Sequence, residues 1–328
     1  MAKMNVLEAL RAAMAWELEH DSDVVILGED VGTAGGIFRT TQGLQNRFGP
    51  DRVIDTPMDE SGIIAHAVGL ALAGMKPIAE IQFSGFIHNA HEQIMFCAAK
   101  YRWMSGGEYT SPLVVRAPSF GGIMGGVWHS HSPESYYIHG GGIKIVAPST
   151  PQDAYGLMLA AIRDPDPVLI LEPVPLYRSL SGEVEDDGSA IEIGPAETVR
   201  PGRDITAVTY GPLRHVLKEV ADELAATGGA DTEVIDLKTL IPWDVERLVE
   251  SVNRTGRLVI IHEAPQTLGF GAELAAELQQ RCFGYLQAPI DRVCAPDVPY
   301  SYRVGDDYYK PSAERIRATL NKIMEFAF

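Results

Sequence analysis

The sequence predicts an α/β protein built from two parallel-sheet domains, and three observations predict it. Apolar runs of strand length, such as Val24-Val25-Ile26-Leu27, are continuous rather than alternating, as in strands covered on both faces. These runs alternate with helical patterns, the signature of βαβ units. A polar, acidic stretch over 179–204 then separates two such patterns within 328 residues, a length that suits two cores better than one. The expected division is a first domain over 1–187, a linker over 188–204 and a second domain over 205–328.

The elements follow in order. Residues 6–20 read as an amphipathic helix and 23–29 as a buried strand. A glycine-rich loop, 32–36, precedes a short helix near 41–48. A strand at 52–55 ends just before Pro57, and Asp59 and Glu60 open an apolar helical run through Ala71. Because that run is apolar nearly throughout, the helix is expected to be buried. A strand at 76–83 and one long helix over 87–104 come next, then strands at 111–117, 142–146 and 167–171. A helix at 151–163 lies between the last two. In the second half, strands are expected at 205–210, 233–237 and 258–262, with helices at 213–226, 271–280 and 313–324. No short repeat or low-complexity tract interrupts the chain.

Composition narrows the function. With 46% hydrophobic and 22% charged residues the chain is an ordinary globular protein. A formal net charge of −17 lacks the basic footprint of a nucleic-acid binder. The N-terminus leads straight into a helix and has no signal-peptide core, and no apolar run approaches the length of a membrane span. Cys97, Cys282 and Cys294 are odd in number and widely spaced, with neither zinc nor disulfide spacing, which points to a reducing cytoplasm.

Ligands of open parallel sheets bind at the carboxyl ends of the strands. Four strands of the first domain lead there to residues able to do chemistry. These are Glu29, Glu60, the run Gln82-Phe83-Ser84-Gly85-Phe86, and the loop 119–126 followed by Trp128-His129-Ser130-His131. Asp59 reads as a helix N-cap, and Glu60 either decorates the first turn or uses the helix N-terminus to keep its charge. Phe83 and Phe86 suit a plain core equally well. His129 and His131 alone are weak evidence for a metal. Glu80, inside a strand, is expected to pair locally, and His139 and His262 to be structural. No dinucleotide fingerprint follows the first strand; Gly121-Gly122-Ile123-Met124-Gly125-Gly126 has the wrong spacing. A phosphate-binding P-loop and a G-x-S-x-G elbow are missing too.

At these residues a family resemblance emerges. Leu27-Gly28-Glu29-Asp30-Val31, Asp55-Thr56-Pro57-Met58-Asp59-Glu60, Ala79-Glu80-Ile81-Gln82-Phe83, the run 101–107 and His129-Ser130-His131-Ser132-Pro133-Glu134 stand in order. Leu171-Glu172-Pro173, Leu176-Tyr177-Arg178, Asp236-Leu237-Lys238-Thr239-Leu240-Ile241-Pro242-Trp243 and Ala295-Pro296-Asp297-Val298-Pro299-Tyr300 continue the pattern across essentially the whole chain. They resemble the β subunit of the thiamine-diphosphate-dependent decarboxylating component of 2-oxo acid dehydrogenase complexes. His131 departs from the glutamine common in that family.

The resemblance implies a pyrimidine-binding thiamine-diphosphate fold followed by a transketolase C-terminal-like domain. It implies Glu60 and His129 as catalytic residues, Glu60 holding the aminopyrimidine nitrogen. A carboxylate there favours the cofactor tautomer whose own amino group acts as base. Glu29, Met58, Asp59 and Gln82 would line the cofactor and Phe86 would stack on it. Phe83, Ser84, Gly85, Phe86 and His129 would meet the substrate, with His129 as proton donor or as the group steering acyl transfer. A possible potassium site would use Leu113, Ala161, Ile162, Asp164 and Asp166. The Gly-Asp-Gly run that holds diphosphate and magnesium in such enzymes is missing, since Gly305-Asp306-Asp307 lacks the second glycine. An α subunit is therefore expected to supply those ligands in an α2β2 heterotetramer. The acidic charge and the Phe328 carboxylate suggest docking on a basic domain of the lipoyl-bearing acyltransferase core. The implied activity is decarboxylation of a 2-oxo acid, pyruvate or a branched-chain acid, with reductive acylation of a lipoyl group. The alternatives are a non-catalytic scaffold subunit and half of a split transketolase-like enzyme.

Overall fold

The structure, a computed structural model, describes residues 1–302 and 308–326. Gly305-Asp306-Asp307 and Phe328 lie outside the described residues. The chain divides into two compact units: Met1–Ile123 with Trp128–Ile193, and Met124–Val127 with Gly194–Phe328.

The first unit opens with strand β1 (Ala2–Asn5) and helix α1 (Val6–His20). Asn5 caps α1 in a capping box, its side chain accepting from Glu8 N at 2.9 Å while Asn5 N donates to the Glu8 carboxylate at 2.9 Å. There follow β2 (Val24–Gly28), α2 (Leu44–Phe48), β3 (Val53–Asp55), α3 (Glu60–Leu72) and β4 (Lys76–Glu80). A 3-10 turn (Phe86–Ala90), a π-helical turn (Gln93–Ala98) and α4 (Tyr101–Met104) lead to β5 (Val114–Ser119). Then come α5 (Gly126–His129), of which only Trp128 and His129 belong to this unit, α6 (Glu134–Ile138), β6 (Lys144–Val146), α7 (Pro151–Arg163), β7 (Val168–Pro173) and β8 (Ser181–Val184). Strand β8 pairs antiparallel with β1.

The parallel strands of this unit lie in the order β6-β7-β5-β4-β2-β3. Val24 and Ile26 face the core that α1 and α7 cover, while Val25 and Leu27, pointing the opposite way, are buried as well. Burial on both faces is why the strand runs are continuously apolar. Strands β3 and β4 flank β2 on opposite sides, so the topology reverses at β2 and opens a crevice at the carboxyl ends there.

Beneath the crevice lies a buried ionic lock. Arg116 of β5 is 0% exposed. It donates to both Glu172 carboxylate oxygens, at 2.6 and 2.7 Å, and to the Glu80 carboxylate. Tyr177 donates to the second Glu172 oxygen. Burial pulls the guanidinium pKa down, but the Glu172 carboxylate, with Tyr177 beside it, holds it above its ordinary value. Glu80 thus pairs within the sheet, as its place in a strand suggested.

Two expectations for this unit are corrected. The helix opened by Glu60 is not buried all round. Ile63, Ile64, Ala67, Val68 and Ala71 are buried, whereas Ala65, His66, Gly69 and Leu72 are exposed. Alanine, glycine and leucine on its outer face hide the amphipathic pattern, so the helix start does not exclude water within this chain. The expected long helix over 87–104 is instead a 3-10 stretch and a π-helical stretch joined through residues 91–92, then a turn and α4. Ala99 N donates to Ile94 O at 2.9 Å, an i to i+5 bond that absorbs one extra residue. Hydropathy periodicity carries no mark of such an insertion.

The second unit holds β9 (Glu197–Arg200), β10 (Ile205–Thr209), α8 (Leu213–Ala226), β11 (Thr232–Asp236), β12 (Thr239–Ile241) and α9 (Val245–Thr255). It continues with β13 (Leu258–Pro265), α10 (Phe270–Cys282), β14 (Asp291–Ala295) and α11 (Ala313–Glu325). Its sheet runs β14-β13-β10-β11-β9, with β9 antiparallel at the edge. Strand β9 falls inside the stretch 188–204. Helix α9, amphipathic, capped by Asp244 and ended by Gly256, was not among the expected elements, and part of its buried face is polar. Ser251 and Thr255 meet Thr206 of β10 at 2.6 and 2.7 Å.

Replacing Arg116 with Met leaves the Glu80 and Glu172 carboxylates buried without their counter-charge, and is expected to cost about 3–5 kcal/mol. Tyr177→Phe, which removes one hydrogen bond, should cost about 1–3 kcal/mol. Urea denaturation of the two variants measures the difference.

Candidate active site

The crevice gathers residues from four segments. Glu29 follows β2 and Gln82 follows β4; Gln82 Nε2 donates to the Glu29 carbonyl at 3.4 Å across the switch point. Burial raises the Glu29 carboxyl above its ordinary range, and the neighbouring charges of Asp30 and Glu60 push the same way. Asp59 caps α3 by accepting from Gly62 N at 3.0 Å. Glu60 is half-buried in the first turn of that helix, where free N–H groups favour an anion. Its Oε2 accepts from Asn89 Nδ2 at 3.2 Å.

Asn89 belongs to the turn Phe86–Ala90, and Phe86 begins it. With three residues per 3-10 turn, Phe86 and Asn89 lie on one face, so this turn links Glu60 to an aromatic cluster. In the cluster the His129 ring meets Phe83 edge-on at 4.4 Å and Phe86 edge-on at 5.4 Å. Trp128 stacks parallel to Phe86 at 6.4 Å. Behind them Phe38 packs on both Phe83, at 5.4 Å, and Tyr177, at 5.3 Å, connecting the cluster to the ionic lock.

Ser84 and Gly85 hold the two walls together. Ser84 is buried; its N donates to Pro118 O at 2.9 Å and its Oγ to His131 O at 2.8 Å. Gly85 lies so close to the Trp128 carbonyl that a Cβ there would overlap it, so this contact requires glycine. Next to them His88 Nε2 and His131 Nε2 stand 3.1 Å apart. Burial lowers both imidazoles, the mutual charge adding to the effect on His131, which is held at about 4.

The structure therefore brings Glu29 and Gln82 together, Glu60 to Asn89, and Phe83 and Phe86 to His129. It does not enclose Met58, which is 76% exposed, or Asp59. Elsewhere, the Asp164 carboxylate is held by Lys144 at 2.7 and 2.6 Å, and Asp166 by Arg102. The Leu113 carbonyl accepts from Val168 N at 2.9 Å and the Ala161 carbonyl from Asp164 N at 3.3 Å. Ile162 is buried within α7. Among the described residues no group of three His, Cys, Asp or Glu is arranged to hold a metal ion. His262 is buried and accepts from Gly271 N at 3.2 Å, a structural role; His139 is exposed.

Asn89, His88 and Phe38 were missed from the sequence. Asn89 could have been found by its spacing of three from Phe86. The His88–His131 pair spans 43 positions and leaves no local trace.

A half-buried carboxylate beside stacked aromatic rings and an imidazole can hold a planar, nitrogen-bearing ring and move a proton near it. Fold and comparison define the class as transketolase-type. Residues 2–179 match the transketolase pyrimidine binding domain, and residues 194–316 match the transketolase C-terminal domain. A solved structure titled "Split gene transketolase, inactive beta4 tetramer" shares the fold, with a TM-score of 0.78 at 22% identity over 98% of each chain.

Three full-length relatives narrow the class. The pyruvate dehydrogenase E1 component subunit beta of Bacillus subtilis is 42% identical, over 99% of this chain and 100% of its own. The 2-oxoisovalerate dehydrogenase subunit beta of Pseudomonas aeruginosa is 42% identical, over 99% and 96%. The mitochondrial 2-oxoisovalerate dehydrogenase subunit beta of Dictyostelium discoideum is 45% identical, over 99% and 87%. The chain belongs to the family of 2-oxo acid dehydrogenase E1 β subunits, oxidoreductase components.

The lowered imidazole pKa values of half-buried His131 and buried His262 make stability depend on pH. An unfolded histidine takes its proton near pH 6.5, whereas folded His131 and His262 are each held at about 4. Their contribution is fully present above pH 6.5 and is lost as pH falls from there toward 4. Calorimetry should show the melting temperature dropping across that window, less steeply in His131→Gln.

Proposed function

We propose that this chain forms the pyrimidine side of a thiamine diphosphate site completed by an α subunit, and so takes part in decarboxylating a 2-oxo acid and passing its acyl group to a lipoyl carrier. The observation that carries this reading is the turn Phe86–Ala90, which joins a helix-start carboxylate, Glu60, to the Phe83–Phe86–His129 cluster through Asn89. The residues fit the group: Glu60 would hold a ring nitrogen at its carboxylate, Phe86 would stack on the ring, and Glu29 and Gln82 would line it. Exposed Met58 and Asp59 would meet it once the α subunit closes the site. When bound, thiamine diphosphate supplies a carbon nucleophile and the electron sink that decarboxylation requires.

The chain's own residues would do the rest. Glu60 would keep a proton positioned at the ring nitrogen, and Phe83, Ser84, Gly85 and Phe86 would shape the space for the substrate. His129 would move a proton on the substrate side or steer the acyl group. Magnesium and the diphosphate would be held by the α subunit in an α2β2 assembly. A potassium ion near Leu113, Ala161, Ile162, Asp164 and Asp166 would draw on main-chain oxygens, because Lys144 and Arg102 already hold the two carboxylates. The net charge of −17 suits docking on a basic domain of the lipoyl-bearing core. Three free cysteines suit a reducing cytoplasm. The substrate is pyruvate or a branched-chain 2-oxo acid; each methylene by which such substrates differ is worth only ~1–3 kcal/mol of discrimination.

Glu60→Gln, assayed as the αβ complex, should lower turnover at least ~100-fold while the complex still assembles; full activity would overturn the role given to Glu60. Calorimetric titration with thiamine diphosphate and magnesium should give binding to the αβ complex and none to this chain alone. Binding to the isolated chain would place the diphosphate ligands here instead.

A further inference from the structure

The turn Phe86–Ala90 and the segment 128–131 face each other across the site, one carrying Phe86 and the other His129. Each also carries a second imidazole that the proposed chemistry does not use. The 3.1 Å between His88 Nε2 and His131 Nε2 is a hydrogen-bond distance, so one neutral ring donates and the other accepts. The pair is walled by α6. Tyr136 stands 4.7 Å from His88 and 6.3 Å from His131, and Tyr137 stacks on His88 at 6.2 Å. Tyr137 in turn donates to the Ile87 carbonyl at 3.1 Å. The main chain of His131 is fixed as well, its carbonyl accepting from Ser84 Oγ at 2.8 Å and from Phe120 N at 3.0 Å.

We infer that His88 and His131 are positioning residues: their hydrogen bond clips the turn bearing Phe86 to the segment bearing His129 and so sets the separation of those two rings. The inference rests on the proposed roles of Phe86 and His129. His88 lies two residues from Phe86, and His131 two residues from His129. Opening the clip moves both rings without removing either. The titratable groups facing the pair are His91, Tyr136 and Tyr137. His91 adds to the penalty on charging His88. One proton can be shared between the two Nε2 atoms, but a second sets two cations against each other and opens the clip.

The test uses the αβ complex. His131→Leu and, from the other side, His88→Leu break the bond, while His131→Gln keeps a side chain able to donate or accept. Displacing a reacting geometry by about 1 Å costs up to ~100-fold in rate, so the Leu variants should lose at least ~10-fold in kcat. The KM for the 2-oxo acid and the Kd for thiamine diphosphate should stay within about threefold. His131→Gln should restore kcat to within about threefold and displace the acid limb of the kcat profile to lower pH. Leu variants with wild-type kcat, or a Gln variant as slow as they are, would overturn the clip. Should the Leu variants fail to assemble with α, an unchanged acid limb in His131→Gln would overturn it. Glu60→Gln run alongside separates the two readings. An inactive Glu60→Gln beside fully active Leu variants removes only the clip, whereas an active Glu60→Gln removes the functional reading beneath it.

Discussion

Arg116 between Glu80 and Glu172 is the constraint on which the first unit depends. The three residues stand on β5, β4 and β7, neighbours in the sheet, and none is more than 2% exposed. A guanidinium with two carboxylates would be a poor choice for stability alone, because desolvating such a group offsets much of its attraction. What it supplies is position. The planar fork fixes β5 to β7 through two bonds on Glu172 and fixes β4 through Glu80. Tyr177, bonded to the same Glu172, carries the constraint outward through Phe38 to Phe83. The strand ends that bear the site are thereby held to one another before any ligand arrives.

From that base the site is assembled by turns rather than by long elements. A single 3-10 turn presents Phe86 toward His129 and Asn89 toward Glu60, which a continuous α-helix from residue 87 would not have done in the same register. The π turn at 93–98, joined to it through residues 91–92, belongs to the same irregular stretch. Helix α3 contributes the free N–H groups of its first turn at Glu60 and leaves an outer face of Ala65, Gly69 and Leu72 exposed. The crevice residues then divide by burial. Ser84 and Gly85 are locked into the scaffold, Glu29, Glu60 and His129 are half-covered, and Met58 and Asp59 are open.

The fold was legible where packing is regular. Strands covered on both faces must be apolar throughout, so β2, β5 and β7 announced themselves, and the helices 151–163 and 213–226 matched their patterns to the residue. It was illegible where polar groups are buried in pairs. Helix α9 has an amphipathic pattern, but its pairing of Ser251 and Thr255 with Thr206 leaves no mark in hydropathy, since a hydroxyl satisfied by another hydroxyl 45 residues away has no local signal. The short strands β1, β8, β9 and β14 were missed because edge strands of four or five residues carry little periodicity.

The sequence by itself determined the α/β class, the family and the set of residues at the strand ends. Those depend on residue type and order, which the chain states directly. Only the tertiary structure decided that Arg116 bridges Glu80 and Glu172, that Asn89 meets Glu60, and that His88 meets His131. Each of these joins residues 29 to 56 positions apart. Such a partner is chosen by strand order and turn geometry, and one-dimensional spacing carries neither.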